Sequence, residues 1–408
     1  MIKRLLAKRR SGYTLPQQFY SDADVFDFDL QAIFHSHWLQ AALEIEIPNT
    51  GDYVTQTVGR SPIVILRGAN GGVSAFYNTC RHRGAQICQD LRGHLSRFIC
   101  PYHQWTYDLN GKLLRATSMQ QDFDTEAHGL RPIPVETVAG VIYLCLSDNP
   151  PDFRPVRAAL EPLLEPHELY NAKIAHTAVL TERANWKLVM ENARECHHCR
   201  ARHPEFMRAF RDFDAADYLQ RPEPWLREFW ARCETKGLKS GPVAGPGFKA
   251  ARFPLVDGAV SLTIDGKAAV AKTLGRVGDG DVGTMRWSLE PNCFNHALGD
   301  YAFFFQLVPT GPQETTVTAK WVVNKDATEG VDYDLARLLE VWDATNNQDK
   351  WLVENNQRGV NSASYMPGPY STKAEVWVID FVDWYCAAVE TFLDTSAAMT
   401  GEEDLIQQ

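Results

Sequence analysis

Cys80-Arg81-His82, then the 17 residues from Arg83 to Ile99, then Cys100-Pro101-Tyr102-His103: this stretch decides how the first part of the chain folds. Each of two short loops offers one thiolate and one imidazole, so four ligands converge on one point. Gly84 lets the backbone bend after His82, and Pro101 stiffens the approach to His103. A tetrahedral zinc site would use the same atoms, but zinc motifs usually pair Cys with Cys and His with His along the chain. Mixed loops suit a two-iron, two-sulfur cluster in which two thiolates hold one iron and two imidazoles the other. Cys88 and His94 read as loop residues beside this site.

Around these loops, residues 51–146 alternate short β-rich runs with Gly-rich turns, which predicts a small all-β domain. The pair Asn110-Gly111 between residues 104–107 and 113–115 predicts a hairpin just after the second loop. Pro150, Pro151, Pro155, Pro162 and Pro166 crowd residues 148–166, a stretch expected to continue neither strand nor helix. The division that follows is an N-terminal arm and helix (1–40), the all-β domain (41–150), a linker (151–170) and a second domain (171–408). Strands are expected at 174–180, 259–264, 302–308 and 315–323, with a loop or lid at 239–248. Helices are expected at 186–201, capped by Asn185, and at about 333–358. The fold class is α+β, with an antiparallel sheet and helices on one side of it.

A second ligand set lies in Glu195-Cys196-His197-His198-Cys199-Arg200-Ala201-Arg202-His203-Pro204. His197, His198 and His203 are all candidates. In a regular helix His198 and His203 point about 140° apart, so a distortion is expected between Cys199 and His203, helped by Pro204. Two His plus one carboxylate leave positions open for oxygen chemistry at iron(II). Asp349 lies within about 60° of Leu338, Trp342, Leu352 and Val353 on the long helix, so an acid faces the apolar side. It reads either as that third ligand or as a buried Asp satisfied by hydrogen bonds. Cys196 and Cys199 read as small buried fillers rather than a redox pair.

Bulk properties narrow the classes. With 408 residues, 41 bases, 51 acids and a formal net charge of −10, the chain has no basic block for nucleic acid and no apolar run for a membrane span. The basic segment 1–16 lacks a signal-peptide core and is expected to be a surface arm, a short transit peptide being the alternative. Nine cysteines, unevenly placed and three of them beside histidines in short clusters, suit metal ligation in a reducing, cytoplasmic compartment.

The motifs Asn78-Thr79-Cys80-Arg81-His82-Arg83-Gly84 and Cys100-Pro101-Tyr102-His103-Gln104-Trp105 resemble those of the Rieske non-haem iron oxygenase alpha subunits. Asn185-Trp186-Lys187, Glu191-Asn192, Glu195-Cys196, His198, His203-Pro204, Lys325-Asp326, Gln357-Arg358-Gly359 and Pro367-Gly368-Pro369-Tyr370-Ser371 look like the glycine betaine and proline betaine demethylase branch. The resemblance implies a Rieske domain with a [2Fe-2S] cluster held by Cys80, His82, Cys100 and His103. It also implies a helix-grip (START-like) domain with a mononuclear iron held by His198, His203 and Asp349. Further implications are a homotrimer in which one subunit's cluster serves its neighbour's iron through Glu195, and an NAD(P)H-dependent flavin and ferredoxin-type reductase as electron donor. His197, Phe294 and Tyr301 stand where that branch usually has Tyr, Trp and His.

The leading functional expectation is therefore O2-dependent oxidative N-demethylation of a small quaternary ammonium or N-methyl compound, with formaldehyde released. The alternative in the same superfamily is hydroxylation or dioxygenation of an aromatic or other small organic substrate in an apolar pocket. A pure electron carrier would not need the second ligand set, and a hydrophobe-binding module would hold no mononuclear iron. A quaternary ammonium requires aromatic faces because it donates no N–H. Trp287, Phe294 and Tyr301 are the candidates, each equally readable as core packing.

Overall fold

The computed structural model describes residues 1–211, 222–278 and 280–406. Its first domain is all-β. A five-stranded antiparallel sheet runs in the order Arg92–His94, Asp52–Val58, Ser61–Arg67, Val73–Tyr77, Pro132–Ile133. In its central strand Ile63, Val64, Ile65 and Leu66 are all buried, the continuous apolar run of a strand covered on both faces. A smaller sheet of Phe98–Ile99, Thr106–Tyr107 and Leu113–Arg115 carries the expected hairpin, with Tyr107 opposite Leu113 and Gly111 at φ 79°. Phe76, Phe98, Trp105 and Tyr107 join the two sheets in one core.

The proline-rich segment departs from expectation, because Arg154–Leu164 is a helix. Pro155 lies in its first turn, where no intrahelical N–H is needed, and Pro162 lies in its last. Val156, Leu160 and Leu163 pin this helix to the second domain's sheet beside Tyr143 and Met285.

That sheet has seven antiparallel strands in the order Ala172–Glu182, Glu314–Asn324, Tyr301–Gly311, Cys293–Ala297, Thr284–Leu289, Phe248–Phe253, Val243–Gly245. Strand alternation sends its residues to two different cores. Ala302, Phe304, Val322, Met285 and Trp287 face the linker helix and the strand Val141–Leu144. Tyr301, Phe303, Trp321 and Val323 face Leu338, Val341 and Trp342 of the long helix Leu335–Val360, and Asp334 caps that helix at the N–H of Arg337. The expected strand at 259–264 is instead a loop, closed by Gly266 at φ 71°, whose carbonyl accepts from Val260 N–H. Part of the expected lid is the edge strand Val243–Gly245.

The N-terminal segment is more than a surface arm. Ile2, Leu5 and Leu15 are buried, Arg9 pairs with Asp383, and Thr14 N–H donates to Gly368 O at 2.9 Å. Deeper in, Asp29 pairs with the fully buried Lys187 and accepts from Trp186 Nε1 (3.0 Å) and the Tyr385 hydroxyl (2.7 Å). One carboxylate thus ties the arm, the helix Trp186–Asn192 that leads into the second constellation and the C-terminal helix Val376–Ile406 together. No helix among the described residues is long and apolar enough to cross a membrane.

Candidate active site: two metal centres in one chain

The two loops of the first constellation share one backbone frame. Cys80 N–H donates to Ala85 O, and Gly84 N–H donates back to Cys80 O, both at 2.9 Å. Cys100 N–H donates to Trp105 O at 2.8 Å, and Gln104 N–H to Cys100 O at 3.0 Å. The fourth residue after each Cys sits at positive φ, Gly84 at 78° and Gln104 at 61°. A non-glycine residue in that region is uncommon, so the second loop holds Gln104 against its intrinsic preference.

The side chains fit a cluster. His82 and His103 have ring centroids 4.6 Å apart, and their Nδ1 atoms are buried without any hydrogen-bond partner. Unpaired buried imidazole nitrogens facing one point are what metal ligation would satisfy. Cys80 and Cys100 are buried free thiols, and burial, with Cys100 alongside, raises the Cys80 thiol. The Tyr107 hydroxyl reaches Cys80 Sγ at 3.3 Å, and Trp105 stacks on His82 at 4.8 Å. Cys88 keeps its hydrogen bonding local, its N–H and C=O both held by the Asn78 side chain.

At the second constellation the helix capped by Asn185 ends at Asn192, earlier than its periodicity suggests. The cause is Arg194. It turns inward and forms a fork with Glu290, at 2.9 Å from Nε and 2.6 Å from one terminal nitrogen, so the chain leaves the helix axis. Residues 193–198 form turns, a short helix Cys199–Arg202 follows, and the expected departure from helical geometry comes at its end, where His203 before Pro204 takes φ −117° and ψ 63°. With His203 turned off the short helix, its Nε2 lies 3.0 Å from His198 Nε2.

Asp349 Oδ1 completes the triangle at 3.2 Å from His198 Nε2 and 3.1 Å from His203 Nε2. Each imidazole is oriented from behind. Glu195 Oε1 accepts from His198 Nδ1 at 2.5 Å, and Gln348 Oε1 accepts from His203 Nδ1 at 2.7 Å. Gln348 is itself fixed by donating to Glu205 at 2.8 Å. The sequence reading missed Gln348, although its place beside Asp349 was the available signal. Both Nε2 atoms are thus left as ligand atoms, the usual arrangement around a histidine-bound metal.

The electrostatics agree. Burial pushes the Asp349 carboxyl up, yet the two imidazoles bring it below its ordinary value. Burial depresses His198, but Asp349 and Glu195 outweigh it and raise the imidazole to about 9. A proton on His198 takes the place of the positive charge that a cation between the three ligands would bring. Glu182, buried beside this charge, is raised to about 8 by burial and then by Asp349.

His197 is exposed and lies outside the triangle. Cys199 Sγ approaches the two imidazoles, but it is bonded to Cys196 in a disulfide and has no thiolate to offer. The two cysteines are therefore a pair, not the separate fillers expected from sequence. The turn at 193–198 brings their sulfurs together, whereas a continuous helix would hold them in successive packing positions.

The ligand triangle opens on a cavity of about 60 Å³ lined by Phe206, Phe210, Phe294, Phe303, Phe305 and Trp342, with Asn192, Glu182, Asn346 and Arg286 as polar groups. Of the three aromatic candidates only Phe294 lines it. Trp287 lies on the opposite face of the sheet against Phe304. Tyr301 is buried beneath the long helix, its hydroxyl donating to Leu262 O at 3.1 Å and accepting from Trp342 Nε1 at 2.9 Å. Strand alternation sends Trp287 to the far face, whereas Tyr301 shares the face of Phe303 and Phe305 and is kept from the cavity by its place farther along the strand.

Two ligand sets on this pair of domains define a class. The Rieske [2Fe-2S] domain family matches residues 37–137, and the ring hydroxylating alpha subunit catalytic domain family matches residues 169–391. The chain belongs to the Rieske-type ring-hydroxylating oxygenase alpha subunits. Such a chain carries a [2Fe-2S] cluster and a mononuclear iron and is an oxidoreductase that uses O2. It is 45% identical over 386 residues to the glycine betaine monooxygenase oxygenase subunit of Pseudomonas aeruginosa, covering 93% of this chain and 90% of that protein. It is 43% identical over 399 residues to the subunit of the same name from Chromohalobacter salexigens, covering 96% and 89%. The crystal structure of the quaternary ammonium Rieske monooxygenase CntA with L-carnitine shares the fold at a TM-score of 0.70 and 22% identity, over 95% of this chain and 98% of that one.

Proposed function

We propose that this chain is the oxygenase component of a Rieske-type monooxygenase that oxidatively N-demethylates a small, betaine-like quaternary ammonium compound. The observation that carries the reading is the aromatic cavity beside the His198–His203–Asp349 triangle, in a chain so similar to glycine betaine monooxygenase subunits. Aromatic faces attract a quaternary ammonium that cannot hydrogen-bond. The alternative, oxygenation of an aromatic ring in an apolar pocket, is less well served by a cavity that also holds Glu182, Asn346 and Arg286.

Iron bound by His198, His203 and Asp349 supplies the activation of O2. The protein's own groups do the rest. Glu195 and Gln348 hold the two imidazoles from behind with their Nε2 atoms aimed at the metal position, and the aromatic walls exclude water and present an N-methyl group. Hydroxylation of that methyl gives a hemiaminal, which loses formaldehyde and leaves the amine with one methyl fewer. Cys80, His82, Cys100 and His103 hold the cluster within residues 41–150, and its imidazole edge lies among the exposed Arg81, Arg83 and Tyr102. Electrons leave across that surface, which suits delivery to a neighbouring subunit of a homotrimer through Glu195. On this reading the chain is cytoplasmic and is reduced by an NAD(P)H-dependent flavin and ferredoxin-type reductase.

The test is a panel of methylated amines and aromatic acids incubated with the holoprotein, O2 and a surrogate reductase. Formaldehyde released in step with O2 uptake from quaternary ammonium compounds supports the reading. Ring-hydroxylated products without formaldehyde would overturn it.

A further inference from the structure

The cavity at the ligand triangle, about 60 Å³, is far smaller than the roughly 300 to 1,000 Å³ of small-molecule sites. It suits the group to be oxidised rather than a whole substrate. A second cavity of about 460 Å³ adjoins it, because Ala193, Arg286 and Phe294 line both. Phe294 comes from the strand Cys293–Ala297, where it pairs with Ser288, and Ala193 from the turn after the helix Trp186–Asn192. Neither His198, His203 nor Asp349 lines the larger space.

The larger cavity lies between the hairpin of strands Val243–Gly245 and Phe248–Phe253 and the C-terminal helix. In the turn of that hairpin Gly247 sits at φ 74°, and a Cβ there would come within 2.7 Å of Trp384 Nε1, so glycine lets the turn close on that indole. Trp384 stacks with Phe381 (6.1 Å, 25°), and Trp377 meets Phe253 edge-on (6.0 Å, 87°). The acids lining this cavity among the described residues already have bases: Glu290 pairs with Arg194, Asp380 with Lys249 and Asp383 with Arg9. Its walls are thus mainly aromatic and aliphatic, and its acids are neutralised from within the protein.

The chemistry of the reaction divides a substrate between the two spaces. The methyl carbon to be oxidised is one bond from the nitrogen, so the cation stays at the ligand triangle and the remainder of the molecule extends into the larger cavity. We infer that the larger cavity is a substrate subsite that selects N-methyl cations carrying an apolar ring or chain. The inference rests on the demethylase reading and names the substrate class within it. Glycine betaine, whose remainder is a methylene and a carboxylate, leaves most of this apolar wall uncovered.

Calorimetric binding to the anaerobic holoprotein tests it, with glycine betaine, N,N,N-trimethylleucine and N,N,N-trimethylphenylalanine as probes. The three share a cation and a carboxylate and differ in the apolar body. The wild type is expected to bind the leucine and phenylalanine compounds about 10- to 100-fold more tightly than glycine betaine, the range for burying one large apolar side chain. Ala244 lines the larger cavity but not the smaller one, and it is exposed on the edge strand. Ala244→Trp, which fills the subsite from that edge, is expected to collapse the preference to within about threefold. The cluster's visible spectrum confirms that the variant is folded, and the wild-type comparison needs no variant at all.

A wild type that binds glycine betaine as tightly as the larger compounds, or a Trp variant that keeps the full preference, overturns the inference. Formaldehyde from glycine betaine with no gain from an apolar body would overturn the subsite while leaving the demethylase reading standing. Tighter binding of the larger compounds without formaldehyde would support the subsite and sink that reading.

Discussion

Glu195 Oε1 lies 2.5 Å from Nδ1 of His198, on the side of the imidazole turned away from Asp349. Its Oε2 accepts from the backbone N–H groups of His197 and His198, the latter at 3.3 Å. Within one chain the carboxylate is thus an orienting group, and a contact to a neighbouring subunit would use a lone pair that these bonds leave open. Glu195→Gln separates the two roles. If the charge carries electrons between centres, the variant keeps full iron and its trimer but oxidises its reduced cluster far more slowly in single turnover with substrate and O2. If Glu195 only orients His198, iron affinity falls by about 10- to 100-fold and the rate in iron-loaded protein stays normal.

Asp349→Ala is expected to remove the mononuclear iron and leave the cluster's spectrum unchanged, since the two ligand sets sit in different domains. Metal analysis should fall from three irons per chain to two. Retained iron and turnover would show that another acid serves. Glu354 is a poor substitute, because it accepts from Arg183 N–H at 3.1 Å and pairs with Lys350 at 3.0 Å.

The Tyr107 hydroxyl at Cys80 Sγ predicts the direction of a redox change. A hydrogen bond to a ligating sulfur favours the reduced, more negative cluster, so Tyr107→Phe should lower the midpoint potential. The potential should also fall as pH rises in the alkaline range, as the imidazole ligands lose their second protons. Voltammetry of the purified protein reads both effects, and an unchanged midpoint in Tyr107→Phe would count against this contact.

Glu191 makes stability pH-dependent. It is buried, accepts from the hydroxyls of Tyr20 at 2.8 Å and Tyr370 at 3.0 Å, and is raised by burial to about 7. The folded state therefore holds a proton more tightly than the unfolded chain does. This contribution is complete below the unfolded value near 4.5 and is lost as pH rises to about 7. Glu191→Gln should flatten the decline of thermal stability across that window, an effect of up to about 3 kcal/mol. Parallel melting curves for variant and wild type would refute the assignment.

The sequence displayed the candidate ligands more clearly than the frame that carries them. Cys80, His82, Cys100 and His103 are legible because the ligand types repeat over a short span. Asp349 is legible because an acid interrupts an apolar helix face. The end of the helix at Asn192 was not, since it depends on the Arg194–Glu290 fork between residues distant in sequence. Nor was the helix Arg154–Leu164, where the position of each proline within the turns matters more than the number of prolines. Trp287 differs from Phe294 in the sheet face it occupies, Tyr301 differs only in its place along the cavity face, and Arg286 is a cavity residue because alternation puts it on that face.

The most direct test of the whole account is a single turnover without any reductase. The cluster is reduced chemically, excess reductant is removed, and glycine betaine and O2 are added together. The account predicts that the cluster is oxidised and that formaldehyde appears in proportion to it, with neither event in Asp349→Ala. A cluster that stays reduced, or is oxidised while the substrate is recovered intact, would contradict it.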